Sequence, residues 1–417
     1  MRDPEVQNRY ANNYTVVFPD FPGFDQTPYS LTLTQSIGKH DVIEIFYSTI
    51  NKAYLKTMST GVAVEITWSN DAVSETFVGY VSDLEYPTSS SIQKPLTITC
   101  LGASYPLKEK RQKIWKNATA SEVATDIATF NKLKPVVTPS DIRFPQISFS
   151  GHSQWQKLQE LAKSIGYACQ IVGVELHFHP IDVMIDKFLT TIPVMAFLDP
   201  SITPMNQFAS QTLDHFETVQ GDFGNFRGNT KATKIVGGVD PVTGKIYKAT
   251  SSPTSVGKNL RAKNKDPLFF DIDTDTVIID RLSSQSLANA KAQLARLSTP
   301  GYGFGQGDSR IAPWRTVEIR GTGEASDGFW IVSNAVHTLN SDGKYTVEFE
   351  VATDGSGSNI ASAFRPSSAG NVPTVNLTQA ITTGANTPTA YKLSNSAPMV
   401  NQTLTGYNVA PRRWVAV

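Results

Sequence analysis

Val62-Ala-Val-Glu-Ile-Thr-Trp68 alternates apolar and polar side chains, runs into Ser69-Asn70-Asp71, and is answered by Glu75-Thr-Phe-Val-Gly-Tyr-Val81. Alternation with period two is what a strand needs when one face meets a core and the other meets water. The polar cluster between the two runs is a turn signal. Working outward, Leu96-Thr-Ile-Thr-Cys-Leu101 has the same pattern, as do Ser30-Leu-Thr-Leu-Thr34 and Asp41-Val-Ile-Glu-Ile-Phe46. Tyr14-Thr-Val-Val-Phe18 is an apolar run closed by Pro19-Asp20 and Pro22-Gly23. Strands separated by turns at intervals of roughly 10–15 residues predict a small antiparallel barrel or sandwich over residues 1–107.

The character changes after Tyr105-Pro106. Thr119-Ala-Ser-Glu122 and Ser153-Gln-Trp-Gln156 are capping boxes, each followed by apolar residues at helical spacing. In the first helix these are Val123, Ile127 and Phe130. In the second they are Trp155, Leu158, Leu161, Ala162 and Ile165, and Gly166 stands where a C-cap is expected. Tyr167-Ala-Cys-Gln-Ile-Val172 and Glu175-Leu-His-Phe-His179, with Gly173 between them, read as a hairpin. Residues 108–190 are therefore expected to form a small α+β insertion domain.

Residues 191–355 return to β character. Arg315-Thr-Val-Glu-Ile-Arg320, Phe329-Trp-Ile-Val332 and Tyr345-Thr-Val-Glu-Phe-Glu-Val351, with a turn at Asp342-Gly343, are expected to complete a second barrel. The Ala-rich helix at about 284–297 is an excursion from it. Residues 356–417 form a Thr-, Asn-, Ser-, Ala- and Pro-rich arm without an acidic residue, a linker-like composition. Trp414 in that arm has no local core, so a neighbouring chain's pocket is its expected destination. The arm is expected to serve attachment rather than folding. The fold class is thus β-rich α+β: two small barrels, a small α+β domain and an extended C-terminal arm.

Composition narrows function. The chain has 417 residues, 37 basic and 37 acidic, so it lacks the basic excess of a dedicated nucleic-acid binder. Cys100 and Cys169 stand outside any metal-ligand spacing and make no disulfide framework. No apolar run approaches the ~20 residues of a membrane span, and no secretory h-region opens the chain.

Motifs for chemistry are weak. Gly301-Tyr-Gly-Phe-Gly-Gln-Gly307 looks like a phosphate loop, but it follows a helix and Pro300, so it reads as a flexible turn. Gly238-Val-Asp-Pro-Val-Thr-Gly244-Lys245 has one residue too many for a Walker loop, and Ile246 replaces the required hydroxyl. His177 and His179 share one strand face but have no third ligand in motif spacing, and read as surface or interface histidines. Trp115, Trp155, Trp314 and Trp330 fit core or interface packing better than sugar stacking. No catalytic, cofactor-binding or metal-binding residue is assigned, and no enzymatic activity is expected.

Three ordered features resemble tail hub proteins of the late control protein D type, which are also similar to the hub part of type VI secretion spike proteins. The first runs from Leu96-Thr-Ile-Thr-Cys-Leu-Gly102 through Leu107 to Trp115-Lys-Asn-Ala-Thr119, Glu122-Val123 and Ile127. The second is Ser153-Gln-Trp155 with Leu158, Leu161-Ala162, Gly166-Tyr167 and Leu176-His-Phe178. The third is the Ala-rich helix, Val317-Glu-Ile-Arg-Gly321, and Gly328-Phe-Trp330-Ile-Val332 with His337 and Tyr345.

The resemblance implies a homotrimeric bacteriophage tail hub in which each subunit gives two similar barrels. Six barrels would then adapt a six-fold tail tube to a three-fold tip and line part of the DNA channel. It implies virion localisation after assembly in the host cytoplasm, and no stable membrane insertion. The implied partners are a distal tail or tube ring, a tip, spike or fibre protein, the tape-measure protein and DNA in transit. No stretch matches the spike or lysozyme domains such proteins usually carry, so those tasks are expected to fall to other chains. The competing readings are a receptor- or glycan-binding tail protein and a cell-wall hydrolase.

Overall fold

The computed structural model describes residues 14–353 apart from 22–26, 49–57, 71–72, 86–95, 150, 189–191, 198–210, 219–232, 240–242, 252–254, 257–259, 262–269, 274–280, 298 and 323–325. The C-terminal arm with Trp414, and much of the polar stretch before the Ala-rich helix, lie outside the described residues.

The described residues begin with β1 (Tyr14–Val17), β2 (Ser30–Ser36), β3 (Val42–Tyr47), β4 (Ala63–Asn70), β5 (Val73–Glu85) and β6 (Leu96–Gly102). After a 3-10 turn (Tyr105–Lys108) come β7 (Ile114–Thr119), α1 (Ala120–Phe130), β8 (Lys134–Val137) and β9 (Arg143–Ser148). Next are α2 (Gln154–Ile165), β10 (Tyr167–Val172), β11 (Glu175–Pro180) and α3 (Ile181–Lys187). There follow β12 (Val194–Phe197), β13 (Gln211–Thr218), β14 (Thr233–Val239), β15 (Ile246–Ser251), β16 (Ser255–Val256), β17 (Leu260–Arg261) and β18 (Phe270–Asp273). The last elements are α4 (Arg281–Arg296), β19 (Thr299–Gln306), β20 (Thr316–Arg320), β21 (Gly328–Asn340) and β22 (Tyr345–Thr353).

Twelve of these strands form one sheet in the order β1-β4-β5-β6-β3-β2-β21-β20-β12-β13-β19-β22. An additional ladder between β21 and β22 closes its last six strands into a barrel. Thirteen residues long, β21 belongs to both halves. Along one edge its start pairs with β20 (Val317↔Trp330) and its later part with β2 (Ser36↔Asn334 to Ser30↔Asn340). Along the other edge it runs with β22 from Ile331 to Leu339.

The two halves have separate cores. Leu31, Leu33, Ile43, Ile45, Ile66 and Ile98 fill the first, with Leu339 and Tyr345 reaching into it from the β21–β22 hairpin. Met195, Leu213, Val317, Trp330, Val347 and Phe349 fill the closed barrel. One inner face of the hairpin therefore serves both cores in succession.

The Gly-rich segment is where the structure departs most from its sequence reading. It is not a turn: Thr299–Gln306 is the barrel strand β19, paired with β13 on one side and β22 on the other. Its glycines alternate inward. A Cβ at Gly303 would stand 2.2 Å from the Phe349 ring, and one at Gly307 would stand 2.2 Å from the Tyr345 ring. The large rings occupy the volume these residues leave free, so the alternation marks a packed strand.

The strands that complete the barrel, β12 and β13, carry no strong sequence signal; β12 pairs in parallel with both β13 and β20. By contrast β14, β15 and β18 stand outside the barrel as their own three-stranded sheet. Val236 and Ala249 of that sheet pack against Leu287 and Ala288 of α4.

Both capping boxes form. Thr119 Oγ1 accepts from the Glu122 N–H at 3.1 Å while the Thr119 N–H donates to Glu122 at 2.9 Å; Ser153 and Gln156 repeat the arrangement. Such caps contribute about 1 kcal/mol each. Helices α1 and α2 bury Val123, Ile127, Trp155, Leu158 and Leu161 with Leu176 and Phe178 in a third core. Gly166 ends α2 at φ 73°, and a Cβ there would meet Ala290 at 2.7 Å. The position needs glycine for its left-handed backbone and for the close approach of α4.

Candidate functional site

The place where most of the chain converges is the seam between the two halves of the long sheet. At the tip of the shared hairpin, His337 and Tyr345 lie fully buried between the two cores. The Trp68 indole N–H donates to the Tyr345 hydroxyl at 3.3 Å. That hydroxyl lies 2.9 Å from His337 Nδ1, and His337 Nε2 lies 2.9 Å from the Ile311 carbonyl. The carbonyl only accepts, so Nε2 carries the imidazole proton. Nδ1 then accepts from Tyr345, whose oxygen is left to accept from Trp68. Each bond fixes the direction of the next, and the relay ties β4 of the first half to the closed barrel.

A buried ion pair supports this relay. Asp308, with no exposed surface, accepts from Arg310 Nε at 2.9 Å and from the Arg310 backbone N–H at 2.9 Å. The Ile311 N–H donates to the Asp308 carbonyl at 3.0 Å, so the same turn presents the Ile311 carbonyl to His337. A second pair, Arg315 to Glu75 at 3.0 Å, crosses the seam directly. Desolvation lowers the His337 pKa to about 4 and raises that of Tyr345 well above its usual value. Both groups are neutral at pH 7.

Tyr345→Phe keeps the ring and removes the bridge, leaving His337 Nδ1 and the Trp68 N–H buried and unpaired. The expected cost is about 2 kcal/mol, read as a lower urea midpoint at unchanged m-value. An unchanged midpoint would show that the relay contributes nothing to holding the halves together.

Beside the seam lies a recess of about 50 Å³ lined by Asp41, Trp68, Glu75, Gln170, Ser309 and Arg315 among others. It is far smaller than the ~300–1,000 Å³ of a typical small-molecule site. Asp41 accepts from Gln35 at 2.9 Å, and burial pushes its pKa up to about 7.

The residues weighed for chemistry fall elsewhere. His177 and His179 are not surface residues: each is 3% exposed. Alternation puts both on one face of β11, but Phe188, just beyond α3, closes over that face with its ring 5.0 Å from His177. His179 meets the Thr138 hydroxyl at 2.8 Å and His177 meets Glu175 at 3.3 Å. Burial lowers the pKa of both histidines. No group of three or more His, Cys, Asp or Glu placed to hold a metal ion occurs among the described residues. Cys100 and Cys169 are buried free thiols.

Trp155, Trp314 and Trp330 are buried in three different cores, and Trp115 is partly buried against the first of these. The sequence pointed to none of the seam contacts between distant residues.

No family model matches the sequence, and no curated protein matches it. Among solved structures, a tail protein from Neisseria meningitidis MC58 superposes with TM-score 0.58 at 13% identity, covering 84% of this chain and 99% of that one. The prophage MuSo2 tail protein from Shewanella oneidensis gives TM-score 0.55 at 13% identity, covering 82% and 99%. The fold is that of phage tail proteins. At this identity the likeness is one of architecture. No helix among the described residues is long and apolar enough to cross a membrane.

Proposed function

We propose that this chain is a non-enzymatic structural subunit of a phage-type tail, a hub that closes the tail tube as a homotrimeric ring within the virion. The observation that carries the reading is the shared β21–β22 hairpin, which fuses a closed six-stranded barrel and a second β half with its own core into a single sheet. Two β bodies joined in one subunit are what is needed if three copies are to present six. Head-to-tail contacts closing on themselves give such a ring. The α+β part, which we take as residues 108–190, and α4 stand on the outside of the pair and provide further contact surface.

In this role the hub joins the distal tail or tube ring to a tip, spike or fibre protein, and its lumen passes the tape-measure protein and then DNA. The C-terminal arm, with Trp414, attaches to a neighbouring chain. A glycan-binding role loses its main support, because Trp155, Trp314 and Trp330 are committed to cores.

Native mass spectrometry and negative-stain imaging of the full chain test the reading. A trimer with an annular projection and a central opening is the expected result. A monomer at micromolar concentration, or a compact trimer without an opening, would overturn it. Clearing on a peptidoglycan zymogram would overturn the non-enzymatic assignment.

A further inference from the structure

We infer that His177 and His179 form a two-coordinate site for a soft monovalent cation, copper(I), on the buried face of β11. The site lies within the α+β part of a single subunit, so it is independent of the hub reading.

The two imidazoles share one strand face because they are two residues apart. Their ring centres are 5.6 Å apart, and each residue is 3% exposed. In each ring one nitrogen is engaged and the other is not. His177 Nε2 lies 3.3 Å from the Glu175 carboxylate, and His179 Nδ1 lies 2.8 Å from the Thr138 hydroxyl. His177 Nδ1 and His179 Nε2 are buried without a hydrogen-bond partner. Buried polar atoms are almost always paired, so two orphan nitrogens on neighbouring rings require an explanation.

The engaged nitrogens decide what the free ones offer. A carboxylate only accepts, so His177 carries its proton on Nε2 and presents a lone pair at Nδ1. The Thr138 hydroxyl accepts as well as donates; when it accepts from His179 Nδ1, Nε2 presents a second lone pair. Metal-bound imidazoles are arranged in this way, with one nitrogen on the ion and the other donating to an oxygen that fixes the tautomer. An ion held at about 2 Å by each of two nitrogens needs them no more than about 4 Å apart. Rings whose centres are 5.6 Å apart are within that reach.

Burial selects the ion. Zinc takes four ligands, and in a two-histidine site water would have to supply the remainder. Here the Phe188 ring stands 5.0 Å from His177, and Gln170 and Ala168, the cross-strand partners of the two histidines, are themselves buried. No open side remains from which water could complete a tetrahedral shell. Among the described residues no third His, Cys, Asp or Glu is placed to join the pair. Copper(I), with its filled d shell, is satisfied by two nitrogens in line, and imidazole suits copper. Charge points the same way. Lys187 and Arg315 bring positive potential to His177 against the negative potential of Glu175, so a singly charged ion costs less there than a doubly charged one. Bound between the rings, the ion would pair both orphan nitrogens at once.

The test equilibrates the full-length protein without oxygen against copper(I) buffered by bicinchoninate, a coloured chelator. Uptake of one equivalent per chain is expected. The buried thiols of Cys100 and Cys169 are rival ligands, so the coordinating atoms are read directly. X-ray absorption is expected to show two nitrogen donors at about 2 Å and no sulfur. Nitrogen NMR of isotopically labelled protein is expected to move His177 Nδ1 and His179 Nε2 while the other nitrogen of each ring stays protonated. His177→Gln and His179→Gln each remove a ligand and are expected to weaken uptake by roughly a hundredfold or more.

Sulfur coordination, undiminished uptake in both glutamine variants, or no uptake at micromolar copper(I) would overturn the site. Zinc held as tightly as copper(I) would overturn its two-coordinate character. If a glutamine variant fails to fold by near-UV circular dichroism, the parent's nitrogen spectrum decides alone, and imidazole resonances unmoved by copper(I) overturn the site. None of these outcomes bears on whether the chain forms a ring.

Discussion

Gly303→Val is expected to destroy the cooperative unfolding transition of the closed barrel. The added Cβ alone would lie 2.2, 2.4 and 3.0 Å from three atoms of the Phe349 ring, closer than real atoms approach. Phe349 is 1% exposed and packed among Met195, Leu213, Val347 and Val351, so its ring has little room to yield. Backbone movement is equally constrained, because β19 has a ladder on each edge. Ordinary overpacking costs about 1–3 kcal/mol, and this contact is tighter, so the loss is expected to exceed ~3 kcal/mol.

That is a large part of the ~5–15 kcal/mol by which domains are stable. Calorimetry and near-UV circular dichroism check it. The double variant Gly303→Ala with Phe349→Leu is expected to recover much of what Gly303→Ala alone loses, since the two side chains compete for one volume. Additive effects in that pair would mean that the glycine is needed for some other reason.

The same position shows where sequence reading reached its limit. Alternation located β2, β3, β4, β5 and β6 because in each of them an apolar side chain marks the inward position. In β19 the inward position is marked by hydrogen, and the volume signal sits on Phe349 and Tyr345, about forty residues away. A run of glycines then resembles a turn, although its period of two is that of a strand. The capping boxes at Thr119 and Ser153 were legible for the opposite reason, since both partners lie within four residues.

Of the seam, the turn at Asp342-Gly343 was readable, because it is local. That β21 would pair along one edge first with β20 and then with β2 was not. Ser36 and Asn334 are nearly three hundred residues apart, and nothing in either strand marks the other. His177 and His179 were placed correctly on one face but given the wrong environment, for period two tells which residues share a face and not what covers it.

Stability is expected to fall steeply as pH drops from about 6.5 towards 4. In the folded chain burial lowers His40, His179 and His337 to about 4 and lowers His177 as well, whereas in the unfolded chain each titrates near 6.5. Between these values the unfolded chain binds the extra protons, so acid pulls the equilibrium towards it. The contribution of each histidine is present above 6.5, is lost as pH falls, and changes no further below about 4.

For fully buried His337 the difference corresponds to about 3 kcal/mol, and His40, only half-buried, contributes less. Asp41 acts in the opposite sense. Its folded pKa of about 7 lies above the ordinary 3.8, so its contribution is present at low pH and is lost as pH rises through 7. One such carboxyl offsets one histidine and leaves the net slope with the others. Urea unfolding at pH 7, 6, 5 and 4.5 is expected to give midpoints that fall throughout. His337→Gln is expected to be less stable at pH 7 but to show a slope shallower by about 1.4 kcal/mol per pH unit, the value for one proton. A flat profile in the parent chain would mean that these imidazoles gain protons without unfolding, and that the seam is open to water.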